Sequence, residues 1–310
     1  MTVVLIAVAG LFLAGIARQS LTLALDAHES QEALQRRWGE LSCRQAILLH
    51  ADAILKQQQR PAKENDADGA IGAARASAHL VLGGLTFDLL LADESAKISL
   101  NVIYRRQGDE SVTGLISESS QSSGVLPVRL RPYRSNSETT NSLAFDSWGQ
   151  VFSLDRVEGP TPASELLEAA TTEMTCWGDG KLNLERATDD NVERISRLAV
   201  GDTVVSQLLE LRKQCLAKKK AWQLAAQTAA TTKAEAAAAA AAAKQSWLPG
   251  LLGALQLRAT ERRRLDETLA DRSTSYSLWT TIRTTGRSWQ QFSILDTSTE
   301  SQPKCCSYCW

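Results

Sequence analysis

Apolar residues fill Thr2 to Ala17 (TVVLIAVAGLFLAGIA) with no charge, proline or amide among them. At ~1.5 Å per residue a helix over this stretch spans roughly 24 Å, a little short of a ~30 Å hydrocarbon core. Arg18 can snorkel, and Leu21, Leu23 and Leu25 extend the apolar reach by about another turn. The pattern predicts a retained membrane anchor. Val3, Leu5, Ile6, Leu11, Leu13 and Ile16 would face lipid or other helices, and Gly10 and Gly15 would permit close approach. A cleaved signal peptide, the rival reading, needs a basic start and a break after the cleavage site. Here the helical period runs straight on. Positive charge (Arg18, Arg36, Arg37) follows the anchor, which by the positive-inside rule argues against an outward C-terminus; a basic leader upstream of Met1 would resolve that conflict.

Beyond the anchor, Leu34, Trp38, Leu41, Leu48 and Leu55 recur in steps of three, four or seven, with Glu29, Gln31, Arg36, Arg37, Glu40 and Arg44 on the other faces. This predicts one helix from Thr2 to Gln58, roughly 85 Å long. Its stripe of five apolar residues should pack on a globular body. Pro61 ends it, and Lys63 to Gly72 is a polar loop.

Strands come next. His79–Leu82, Leu85–Ala92 and Lys97–Ile103 are short apolar runs separated by Gly83-Gly84 and Asp93-Glu94-Ser95, a meander that can lie on the long helix. Gln107–Asn141 reads as a long loop with one strand at Val125–Leu130, and Trp148–Leu154 as a further strand. Ser164 is placed to cap a helix after Pro162, and Thr188 to start another carried by Val192, Ile195 and Leu198. Gly201 ends that helix, and a second runs from Asp202 to about Leu216. Lys218–Gln245 is low in complexity, with alanine throughout 236–243, the best intrinsic helix former. Pro249-Gly250 interrupts, and a basic helix continues through Arg262-Arg263-Arg264. Ser275–Ile282 and Trp289–Leu295 form a hairpin with Gly286 in its turn.

The 310 residues thus divide into an anchor and long helix (1–58), an α+β globular region with a helical pair (59–216), an Ala-rich and basic helical insertion (217–272), a closing hairpin (273–298) and a Cys-rich tail (299–310). With 34 basic against 35 acidic residues, no nucleic-acid footprint is present. The tail, KCCSYCW, lacks a second Cys-x-x-Cys for a four-ligand metal site and reads as unstructured. Of the three histidines, His28 and His50 fall on the long helix, and His28-Glu29 has Glu32 where a zinc helix needs its second histidine. Asp66 and Asp68 resemble a calcium loop, but Arg75 occupies the position of its bidentate glutamate. Calcium therefore has no specific motif, and no cofactor and no catalysis are expected. Arg262-Arg263-Arg264 is either a solvated helix face or a contact for anionic lipid or an acidic partner.

An apolar N-terminal helix that continues as an amphipathic one into a small mixed sheet resembles the type IV pilin architecture. Four stretches are similar to one branch of it, the general secretion pathway protein K family of minor pseudopilins. The anchor TVVLIAVAGLFLAGIARQ is followed by a polar helix without an acidic residue near its start, as is usual in that branch. Asp93-Glu94-Ser95-Ala96-Lys97-Ile98-Ser99-Leu100-Asn101 resembles the family's D-E-x-G-K-I-N-L-N strand. Gly178-Asp179-Gly180-Lys181-Leu182-Asn183-Leu184, with Ala187, resembles its second G-K-I-N-x-N-T-A strand, which leads into a helix-hairpin-helix-like pair. Tyr276–Leu295 resembles its closing strands. Lys97, Leu100, Asn101, Gly180, Lys181 and Asn183 carry these matches, which cover about half the chain. The family's helical insertion between the two strands is short here, and the Ala-rich segment and Cys tail have no counterpart. The resemblance implies an α+β, pilin-like fold with a long N-terminal transmembrane and amphipathic helix on a small antiparallel sheet, with helical insertions. It also implies a non-enzymatic role at the tip of a type II secretion pseudopilus. The anchor would sit in the bacterial inner membrane with the body in the periplasm, and the partners would be other minor pseudopilins and the secretion machinery. The alternatives are a single-span envelope protein with a periplasmic ligand-binding or sensory domain, with Trp148, Trp177 and Trp279 as pocket candidates, and a membrane-tethered enzyme.

Overall fold

The longest helical pattern gives the longest element. In the computed structural model, which describes residues 2–58, 74–123, 145–152, 163–228, 246–284, 287–297 and 304–309, α1 runs Thr2–Leu48. Side chains are described for all of these except residues 2–11, 120–123, 163–165, 222–228 and 304–309. No proline occurs in α1. The helix does not continue to Gln58 as expected. The His50 N–H donates to the Ile47 carbonyl at 3.1 Å, one residue short of α spacing, and a turn at 49–50 separates α1 from α2 (Ala51–Gln58).

β1 (Arg75–Leu82) and β2 (Leu85–Asp93) form the expected hairpin across Gly83 and Gly84. Both glycines have positive φ, 59° and 82°, the two-residue turn whose twist matches paired strands and which side chains resist. The third strand of the expected meander is absent. Asp93 instead caps a 3-10 turn (Glu94–Ala96), accepting the Ser95 N–H at 3.0 Å, and β3 is only Ile98–Ser99. α3 (Leu100–Gln107) follows. Leu100 and Ile103, three apart, are both buried as one side of a helix, which a strand would have placed on opposite faces.

Gly108, at φ +82°, ends α3, and α4 (Asp109–Ser123) occupies ground expected to be a loop; Val112 and Ile116 bury its inner face. The strand expected at Val125–Leu130 lies outside the described residues. Trp148–Gln150 is a 3-10 turn instead of the start of a strand. α5 (Ala163–Ala170) begins one residue before Ser164. β4 (Met174–Thr175) pairs in parallel with β3, and β5 (Leu182–Asn183) with β6 (Leu269–Ala270). α6 (Asp189–Arg197) starts as the capping pattern predicts, Thr188 Oγ1 accepting the Asn191 N–H. α7 (Asp202–Thr228) extends well past Leu216; the alanine run at 236–243 lies outside the described residues. α8 (Leu248–Ala254) takes Pro249 into its first turn, where the missing N–H costs nothing, so this proline does not interrupt it. α9 (Ala259–Thr268) is the basic helix.

β7 (Ser275–Thr284) and β8 (Arg287–Asp296) form the expected closing hairpin. The tail expected to be unstructured supplies β9 (Lys304–Cys309), whose backbone pairs antiparallel along the edge that β8 would otherwise leave open. The sheet order is β1-β2-β7-β8-β9, antiparallel throughout. The expected α+β class, with a long helix on a small antiparallel sheet, is present.

Alternation splits the sheet between two cores. Leu85, Phe87, Leu89 and Leu91 of β2, with Tyr276, Leu278 and Ile282 of β7 and Leu295 of β8, face Cys43, Leu48, Ala51 and Leu55 of the helical side. Trp279, Phe292 and Ile294 face the opposite way, into the larger core built by α3 to α9. Trp148, Trp177 and Trp279, the pocket candidates, belong to that packing: Trp148 meets Trp177 edge-on at 5.1 Å, and Trp177 and Trp279 flank Phe292 at 4.9 and 4.5 Å.

Candidate interaction surface on the long helix

The face that α1 lays on the sheet is chosen by size. A Cβ at Gly39 would stand 2.4 Å from Phe87 Cζ, so any larger residue there would hold the helix off β2. Cys43 continues this buried line one turn on, and the Arg36 guanidinium stacks 4.4 Å from the centre of the Trp289 ring. Burial pushes the Glu40 carboxyl above its usual range, against the opposing pull of Arg36, Arg44 and Arg37.

This corrects the expected packing stripe. Leu48 and Leu55 are buried, at 3% and 0% exposure, but Leu34, Trp38 and Leu41 are 57%, 64% and 38% exposed. At about 100° per residue, those three lie roughly 150° around α1 from the Gly39–Cys43 line. A regular stripe marks a face that can be buried, and the sheet took the face where backbones can approach closely. Towards the start of α1, Leu23, Ile16 and Phe12, at 62%, 52% and 73%, lie on the same side of the helix, in a stretch where every position from 12 to 31 is exposed, and Leu49, in the turn after α1, is 67% exposed. Leu13, Leu21 and Leu25 are exposed as well, and nothing lies within 4 Å of a Cβ built on Gly15. Such a number of exposed large apolar side chains on one helix, in two groups separated by the polar segment 26–33, is far beyond the scattered exposed leucines of an ordinary surface. The side chains of Val3, Leu5, Ile6, Gly10 and Leu11 lie outside the described residues. Among the described residues, no helix is long and apolar enough to cross a membrane.

The two Lys-containing motifs are internal fasteners. Leu100 is fully buried. Lys97 Nζ donates to Glu94 Oε1 at 2.6 Å, and Ser277 Oγ donates to the same oxygen at 2.5 Å. Asn101 Nδ2 donates to the carbonyls of Phe145 and Cys176, both at 2.8 Å, while its Oδ1 accepts the Phe145 N–H at 2.9 Å, so one amide ties two loops to α3. Gly180 needs its φ of +82°, and a Cβ there would meet Val102 Cγ2 at 2.5 Å. The Lys181 N–H donates to Asp179 Oδ1 at 2.9 Å. Asn183 Nδ2 donates to Ser273 Oγ at 2.6 Å, and its Oδ1 accepts the Glu185 N–H at 2.9 Å.

Residues that pattern reasoning missed complete this network. Arg186, almost fully buried, donates to Asp93 Oδ2 at 3.0 Å and to Asp52 Oδ1 at 2.7 Å, tying α2 to the body. Burial raises the Asp93 carboxyl, opposed by Arg186 and by the Ser273 hydroxyl. Burial also pushes up Asp52, but Lys56 and Arg186 together hold it below its usual range. Burial raises the Cys176 thiol well above its ordinary range, which favours the neutral thiol. Among the described residues, no group of three or more His, Cys, Asp or Glu is placed to hold a metal ion.

No protein-family model matches the sequence, and no curated protein matches it. Among solved structures, the crystal structure of the GspK-GspI-GspJ complex from the type 2 secretion system of enterotoxigenic Escherichia coli contains a chain similar to this one. The identity is 10% and the TM-score 0.42, over 92% of this chain and 99% of that chain, a likeness too loose to assign a role.

Proposed function

We propose that this chain is a non-enzymatic, pseudopilin-like subunit of a type II secretion or related type IV pilus-like system. It acts by assembly at the tip of the pseudopilus to support protein secretion. The observation that carries this reading is the exposed apolar group Leu34, Trp38 and Leu41 on α1, on the side turned away from its own sheet, together with the exposed Phe12, Ile16 and Leu23 nearer the start of the same helix. A helix already docked on its body, yet apolar along its outer side, is built to take a second apolar helix. The partners are other minor pseudopilins and the secretion machinery, and the motif resemblances of Lys97–Asn101 and Gly180–Asn183 point the same way. Residues 1–58 serve as anchor and stalk, with Val3, Leu5, Ile6, Gly10, Leu11, Leu13, Gly15 and Ile16 in the inner membrane or against neighbouring stalks. Residues 59–216 and 273–298 form the periplasmic body, with 217–272 as an insertion and 299–310 as its Cys-rich end. Close helix packing can replace acyl-chain contacts with protein contacts at little cost, so one apolar surface serves in both settings.

The test is substitution on the outer line. Leu34→Glu, Trp38→Glu and Leu41→Glu should each leave the melting temperature of the body within about 2 °C, and together within about 6 °C, since each exposed position shifts stability by only about 0.5 kcal/mol. The triple variant should lose at least tenfold in co-purification with co-expressed minor pseudopilins. Unchanged co-purification would refute the reading.

A further inference from the structure

Among the described residues the sheet has two edge strands, and the side chains of one, β9, lie outside the described residues. The other edge is β1. Its register with β2 is continuous from Arg75↔Ala92 to Leu82↔Leu85, eight residues without a bulge, and the strand contains neither proline nor lysine, the usual guards of an exposed edge. A two-residue hairpin makes the residues flanking its turn a hydrogen-bonded pair, so Leu82, Leu80, Ala78 and Ala76 turn their N–H and C=O groups toward β2. The Asp93 N–H to Ala74 carbonyl bond of 2.8 Å fixes the same parity at the far end. Arg75, Ser77, His79 and Val81 therefore direct their backbone donors and acceptors outward. Ser77, Ala78, His79, Val81 and Leu82 are exposed.

We infer that this edge is a docking site for an extended, acidic segment of another protein, which adds to the sheet as a sixth strand. Outward N–H and C=O groups at every second residue are matched by another extended backbone. The charge says which kind. Arg75 and His79 sit on the outward set, β1 has no acidic residue, and Arg283 stands on the same face. Among the described residues the carboxylate beside them, Asp88, is already shared between His79 Nδ1 at 2.5 Å and Arg283 Nε at 3.2 Å. With Arg75 and Arg283 against Asp88, and histidine counted as neutral, an incoming strand with acidic side chains on that face meets one positive charge in excess. A second copy of β1 would bring only more cations.

The experiment uses the full chain and an acetylated octapeptide of alternating Glu and Val, with the Lys–Val peptide as its charge control. Amide exchange is followed by NMR, and affinity by fluorescence titration. The Glu–Val peptide should slow exchange at Ser77, His79 and Val81 at least tenfold and leave Ala78 and Leu80 unchanged. The Lys–Val peptide should bind at least tenfold more weakly. His79→Pro removes an outward N–H and keeps the β1–β2 bonds, so it should weaken binding at least tenfold at an unchanged melting temperature. The exchange pattern of the unmutated chain provides the same test should that variant fold poorly. Equal binding of the two peptides, or no protection at the odd-numbered amides, would overturn the inference. So would protection that needs no peptide and rises with protein concentration, which would identify a second copy as the occupant.

Discussion

Replacing Arg212 with leucine is expected to lower the unfolding free energy by about 3–5 kcal/mol, the range for removing one partner of a buried ion pair. Arg212 lies on α7 with no exposed surface. Its Nε donates to the Leu184 carbonyl at 2.6 Å, Nη1 pairs with Asp189, and Nη2 donates to the Ala187 carbonyl. One planar guanidinium thus fixes the turn between β5 and α6 onto α7. Leucine would leave two carbonyls and a half-buried carboxylate without that donor, each a loss of about 1–3 kcal/mol. Lysine should restore only part of the loss, because a single ammonium cannot span three acceptors set for a fork. Urea denaturation reads the result. The midpoint falls in the order wild type, Arg212→Lys, Arg212→Leu, with an unchanged slope; a midpoint for Arg212→Leu near that of wild type would remove this residue from the frame of the fold.

The second large effect is at Arg186. Its removal leaves Asp93, fully buried, without its cation, and leaves Asp52 at the start of α2 paired with Lys56 alone. Arg186→Leu should cost about 3–5 kcal/mol, and Asp93→Leu a similar amount. The pair behaves differently. With both charges gone neither is stranded, so the double variant should be more stable than the sum of the two single losses by about 1–3 kcal/mol. Strict additivity would mean that the two groups do not act on each other. Asp52 is about half exposed, and its share of the loss is correspondingly small.

Where the fold is local, the sequence announces it. The Gly83-Gly84 hairpin, the Thr188 cap and the β7–β8 hairpin each rest on residues a few positions apart, and each is where the pattern puts it, while the long helix starts as expected and breaks at 49–50. Where tertiary contacts arbitrate, the pattern misleads. Lys97–Ile103 alternates well enough for a strand, yet Leu100 and Ile103 gain more as one side of a helix against the larger core. The Leu34–Trp38–Leu41 stripe satisfied every rule for a buried face, and the deciding residue was Gly39, which carries no hydrophobic signal at all. The buried arginines were invisible for a related reason. In Leu209-Glu210-Leu211-Arg212-Lys213, Arg212 reads as one more solvated charge, and its acceptors lie 23 to 28 residues earlier in the chain. Tail strand β9 was hidden because its partner edge exists only after the sheet has formed.

The outer side of α1 had the opposite history. Its residues were legible as a stripe, and the structure changed what they face, from the chain's own sheet to the outside. That change is the basis of the assembly reading, so the most direct measurement reads neighbours at that surface. A photo-crosslinking amino acid would be placed at Leu34, Trp38 or Leu41, and for comparison at Gln214 on the exposed side of α7, in cells that co-express the chain with other minor pseudopilins. Mass spectrometry would then map the adducts. Crosslinks from the three α1 positions to the N-terminal helix of another pseudopilin, and none from Gln214, are the predicted result. Adducts to lipid alone from α1, or protein adducts from Gln214 and none from α1, would contradict it.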